Sequence, residues 1–182
     1  MSGEALAIVG GTGAIGVGLV FLSAGIAKLR SRRIFPGVVA NYRLLPPALV
    51  RPVAAILPAG EVLTGAALLA GLWLAALPAI ALLLIFGWAM AVNIARGRGH
   101  IDCGCGRSDL RQSLNRTLVL RNVVLALAVV PALFGLPAFG SAGWLIAAAG
   151  GVALFLMVLV VNALTALANG PLTTTMMERK SA

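Results

Sequence analysis

Residues 97–111 read GRGHIDCGCGRSDLR and hold both cysteines of the 182-residue chain, Cys103 and Cys105, with one glycine between them and another after. Disulfide closure needs Cα atoms within about 7 Å. A pair two positions apart meets that only on a bent backbone, which Gly104 and Gly106 make accessible. The resulting ring is small and strained, and strained, accessible disulfides exchange readily and sit at more oxidising potentials. Arg96, Arg98 and Arg107 favour the nucleophilic thiolate, and Asp102 opposes it. Thiol–disulfide exchange is therefore the chemistry expected here. Two other readings stand beside it: a pair of idle loop thiols, and a soft-metal site gathered from His100, Asp102, Cys103 and Cys105. The spacing matches no closed four-ligand zinc pattern. An exposed, idle histidine is the default for His100, the single histidine in the chain.

Few other polar residues interrupt the apolar background. Glu61 falls near the middle of a hydrophobic run, where an ionised acid costs about 3 kcal/mol and demands a partner. Lys28, Asn93, Arg121 and Asn122 are the available partners. A pairing that fixes helix register and a proton relay are equally open roles. Asn93, Arg96, Arg121 and Asn122 flank the cysteine stretch from both sides, so they are expected to line its base, with simple interfacial capping as the alternative.

The elements that carry these residues follow from composition. The chain is 60% hydrophobic and 10% charged, with a mean hydropathy of +1.03. Soluble domains run nearer about 25% charged. Its apolar runs are unbroken, whereas the strands of an outer-membrane barrel alternate. The fold class is thus an all-α integral membrane protein, a bundle of about five transmembrane helices with the CxC-bearing polar loop between helices three and four. Spans of roughly 20 apolar residues are expected at 5–27, 53–72, 74–95, 118–136 and 144–167, the second and third forming a tight hairpin. Residues 34–47, with Tyr42 and Arg43, form an interfacial helix or loop. Residues 1–170 make one membrane domain, and 171–182 a polar tail.

A run at 7–16, AIVGGTGAIG, has the spacing of a dinucleotide-binding turn. That reading needs a strand, a turn and a helix within an alternating α/β domain, and membrane spans follow instead. Gly10, Ala14 and Gly18 fall four apart, the small-residue pattern that brings membrane helices close.

The net charge of +9 points to topology and not to nucleic acid. Lys28, Arg30, Arg32, Arg33, Arg43 and Arg51 lie in the first connection. Arg96, Arg98, Arg107, Arg111 and Arg116 lie in the third, with Arg121 beside them, and the other two connections hold no basic residue. The positive-inside rule puts the basic connections, the cysteine loop and the C-terminus on the cytoplasmic side and the N-terminus outside. The N-terminal segment lacks a basic leader region and reads as an anchor. Trp73 and Trp144 fit interfacial anchoring. Trp88 lies deeper, where core packing is favoured over stacking on a quinone ring; no cofactor is otherwise expected.

The succession FLSAGIAKL, VVANYRLLP, LPAGEVLTGAALL, NIARGRGHIDCGCG and LVLRNVVLAL, over residues 21–127, resembles the MauE family of methylamine utilisation proteins, within the wider MauE/DoxX-like group. The resemblance implies a multi-pass protein of the bacterial inner membrane. It implies a role in maturation of the disulfide-rich, periplasmic methylamine dehydrogenase β (small) subunit, with a thioredoxin-like MauD-type partner. It also implies Cys103 and Cys105 as the redox pair, surrounded by Lys28, Glu61, Arg96, Arg121 and Asn122. Related chains often carry an aromatic residue after the cysteine pair, where this chain has Gly106 and then Arg107. A periplasmic client and a cytoplasmic cysteine loop require exchange across the membrane, or a loop placed against the charge rule. A membrane scaffold that holds client or partner without electron transfer, and a CxC metal-handling protein, are the alternative functions.

Overall fold

A computed structural model describes residues 3–104, 113–134 and 141–168. The described elements are α1 (Gly3–Arg30), α2 (Phe35–Asn41), α3 (Pro47–Leu69), α4 (Ala76–Ala95), α5 (Arg116–Val129) and α6 (Ser141–Ala168), with 3₁₀ turns at Trp73–Ala75 and Val130–Phe134. Five stretches are long and apolar enough to cross a membrane: Gly3–Arg30, Pro47–Leu69, Trp73–Ala95, Arg116–Phe134 and Ala142–Leu167. The protein is therefore an all-α, multi-pass membrane protein. Among the described residues there is no strand, only an isolated bridge between Asp102 and Ser113, so the glycine run in α1 serves no nucleotide fold.

The chain's punctuation residues set the ends of these helices. Pro47 opens α3, where a missing N–H costs nothing. Asn115 caps α5 by accepting from the Leu118 N–H at 2.9 Å. At the end of α3, Gly71 takes a left-handed φ of +79°. The Leu72 N–H there reaches the Ala67 carbonyl at 3.0 Å, a Schellman closure.

Alpha-1 is the central helix, lying against α3, α6, α5 and the Val130–Phe134 turn, while α4 packs chiefly on α5. Glycines decide these partners. A Cβ on Gly13 would fall 1.9 Å from the Ala128 carbonyl oxygen, and one on Gly65 would fall 2.7 Å from that of Gly18. The close approach expected of the small residues is present but divided: Gly10 meets Ala132, whereas Gly18 and Gly25 meet α3. The α3–α4 connection is short as expected, yet each helix packs more extensively elsewhere: α3 on α1 across the Gly18, Gly25 and Gly65 faces, and α4 on α5, where Gly87 faces Asn122.

The core is built from Ala14, Val17, Phe21, Leu83, Leu125 and Val129. Trp88 does not join it. It is 60% exposed, on the outward face of α4, which corrects the expectation of core packing. Trp73 and Trp144 are also partly exposed, toward the end of the bundle away from the cysteines.

Candidate functional site

The described part of the cysteine stretch starts where α4 stops. Gly97 ends that helix with φ +72°. Its N–H bonds the Ile94 carbonyl at 3.0 Å, and the Arg98 N–H bonds that of Asn93 at 2.9 Å, a second Schellman closure. This turn sends the Arg98 guanidinium back across the helix end. It donates to Asn93 Oδ1 at 3.1 Å, to the Tyr42 carbonyl at 3.4 Å and to the Asn41 carbonyl at 2.6 Å. Asn93 is fully buried and donates to the Ala89 carbonyl at 3.0 Å. Arg98 thus fastens α4 to the last carbonyls of α2, groups a short helix leaves unsatisfied and a cation suits.

Past Arg98 the chain runs beside residues 113–114, and the Leu114 N–H donates to the Ile101 carbonyl at 3.2 Å. Asp102 Oδ1 accepts from the Gly104 N–H at 3.0 Å, the local turn that aspartate side chains favour. Gly104 has φ +67°, and a Cβ there would come 2.8 Å from Val38 Cγ1. Glycine is needed at this position both for its backbone and for the close contact with α2. Cys103 is buried with Met90, Ile101, Leu114 and Leu118, and the Tyr42 hydroxyl donates to its carbonyl at 3.0 Å. Helix α2 therefore roofs the cysteine. These contacts also bring both basic connections to one end of the bundle.

Under this roof lies a buried ion pair. Of the four partners open to Glu61, the structure selects Lys28, whose Nζ donates to Glu61 Oε1. Lys28 is 7% exposed and Glu61 1%. Two aromatic rings complete the cage: Nζ lies 5.8 Å from the Phe35 centroid and 5.2 Å from that of Phe86. Phe86 also packs on the Cys103 cluster, and Phe35 lies beneath Gly104. The ion pair and the cysteine stretch share one aromatic wall.

The remaining polar residues divide. Asn122 is buried, donates to the Leu118 carbonyl at 2.8 Å, and faces Gly87 of α4. Arg121 turns instead to α6, where it donates to Asn162 Oδ1, and its buried Nε finds no hydrogen-bond partner among the described residues. Arg96 and His100 are exposed. Cys105, Gly106 and the polar tail lie outside the described residues. Among those described, no three His, Cys, Asp or Glu side chains gather as a metal site. Sequence reasoning missed the Arg98 clamp, the Phe35–Phe86 cage and Asn162. Of these only Asn162 carried a direct signal, a lone amide in an apolar span.

A multi-pass helical membrane protein with a roofed cysteine stretch at one end is the class that this fold and site define. The profile of the family described as Methylamine utilisation protein MauE matches residues 6–136. The chain is 45% identical over 126 residues to the Methylamine utilization protein MauE of Paracoccus denitrificans, covering 66% of each chain. It is 47% identical over 123 residues to that of Methylophilus methylotrophus, covering 63% of this chain and 65% of the relative. For the protein of Methylorubrum extorquens the identity is 42% over 127 residues, covering 69% of this chain and 68% of the relative. The match thus spans just under two thirds of the first two relatives, at 66% and 65% of their lengths. No solved structure matches. The chain belongs to the MauE family.

Proposed function

We propose that this protein is a membrane thiol–disulfide redox partner that works through Cys103 and Cys105. In this reading it supports disulfide formation in the periplasmic methylamine dehydrogenase β subunit, together with a thioredoxin-like protein of the MauD type. One observation carries the reading. The residue between the two cysteines is a left-handed glycine, held by Asp102 below and α2 above. A bend at that point is what an i,i+2 disulfide requires.

In exchange, a thiolate of one dithiol attacks the other protein's disulfide and releases one sulfur as a thiolate. The second cysteine of the attacking pair then displaces the mixed disulfide. Two electrons and two protons pass from the dithiol that attacks to the disulfide that is opened. Lys28, Glu61, Asn93, Asp102 and Asn122 hold the surroundings in shape. Arg121 ties α5 to α6, exposed Arg96 adds positive charge at the same end, and no cofactor is called for. In this reading the protein spans the bacterial inner membrane with its basic end in the cytoplasm, as the positive-inside rule suggests. Exchange with a periplasmic client then requires that the equivalents cross the membrane through the bundle.

The test is replacement of each cysteine with serine in a host that makes methylamine dehydrogenase. Both variants should reach the membrane, leave the β subunit incompletely disulfide-bonded, and trap a mixed disulfide with the thioredoxin-like partner in one of the two cases. Normal β-subunit disulfides in both variants overturn the redox role and leave the scaffold reading.

A further inference from the structure

The turn between α2 and α3 carries a backbone anomaly. Four described residues have positive φ; three are Gly71, Gly97 and Gly104, and the fourth is Arg43 at +49°. A left-handed residue with a Cβ is disfavoured against glycine, and such outliers persist where the side chain or its surroundings demand them. The surroundings supply the bend: Arg98 grips the Asn41 and Tyr42 carbonyls, and the Arg43 N–H bonds the Ala40 carbonyl at 3.1 Å. Glycine would satisfy that bend with less strain, so this turn carries a guanidinium at a backbone cost.

Arg43 opens onto a groove of about 640 Å³ between α2 and the start of α3, lined by Pro36, Gly37, Ala40, Leu45 and, from α3, Arg51. The lining is otherwise apolar, and it contains no acid. The two acids described at this end have other partners. Glu61 is buried against Lys28, Asp102 is engaged by the Gly104 N–H, and Glu4 sits at the start of α1, at the opposite end. Arg30, Arg32, Arg33, Arg96 and Arg116 add further exposed positive charge. Exposed Ile34 and Leu49, beside the groove, suit the boundary between headgroups and acyl chains.

We infer that this groove is a binding site for an acidic phospholipid of the surrounding bilayer. The headgroup phosphate lies between Arg43 and Arg51, and an acyl chain lies along the apolar lining. Guanidinium forks match phosphate oxygens in geometry and charge, and basic pockets at the membrane interface select anionic headgroups. The inference stands apart from the cysteine chemistry.

Native mass spectrometry of the full chain in detergent, with phosphatidylglycerol and phosphatidylcholine added separately, tests it. Phosphatidylglycerol should be retained preferentially. Arg43→Gly removes the guanidinium while suiting the backbone, so it should fold at least as well as the parent yet bind the lipid roughly fivefold more weakly. Arg51→Gln should lose a similar factor. The double variant Arg32→Gln with Arg33→Gln, outside the groove, should stay close to the parent. Equal retention of the two lipids by the parent overturns the proposal. So does a loss in the Arg32/Arg33 variant as large as in Arg43→Gly.

Discussion

At the scale of single residues, the Lys28–Glu61 pair makes the sharpest physical demand. A lone buried charge is far costlier than a buried pair, so removing one partner should hurt more than removing both. Lys28→Met or Glu61→Leu should each destabilise the bundle by about 3 kcal/mol. The double variant Lys28→Met with Glu61→Leu should recover much of that loss. Reversible unfolding in mixed micelles reads the cycle, and additive losses would show that the two residues act separately. The need for a partner was legible in the sequence, because an acid in an apolar run must be neutralised. Which partner was not, since Lys28 precedes Glu61 by 33 positions and only the α1–α3 packing brings them together. The cysteine pair and its central glycine were equally plain as residue types. The roof over Cys103 was hidden, because it depends on Tyr42, 61 positions away from that cysteine.

Among the elements, close helix approach at glycine carries the packing. Gly13→Ala would drive a Cβ into the Ala128 carbonyl region at 1.9 Å, whereas an added Cβ at Gly60 meets nothing within 4 Å. Gly13→Ala should therefore lower the yield of folded protein severely, and Gly60→Ala should leave it unchanged or raise it. Thermal unfolding in detergent separates the two; similar behaviour would mean that the α1–α5 contact matters little. Hydropathy made the five spans readable, since length and apolarity alone determine them. The second, however, starts at Pro47 and not at 53, because proline is tolerated in a first helical turn. Partner choice was harder to read: spacing placed Gly10 and Gly18 on one face, yet a central helix shares its faces among several neighbours. Trp88 misled for a related reason. In a bilayer a deep aromatic residue can face lipid as readily as core, so depth alone does not bury it.

For the whole molecule, the two basic connections converge on the end that holds the described cysteine, tied there by Arg98 and Tyr42. Charge counting anticipated a shared side for them, and the contacts between α2 and the cysteine stretch put them together. The central claim is that Cys103 and Cys105 form one two-electron couple at that end. Its most direct test is a redox titration of the purified full chain in lipid vesicles, with exposed thiols counted by maleimide mass shift across a series of glutathione buffers. Both thiols should appear together at a single midpoint, more oxidising than the thioredoxin value of about −270 mV. Two thiols that titrate independently, or that stay reduced at every poise, would contradict it.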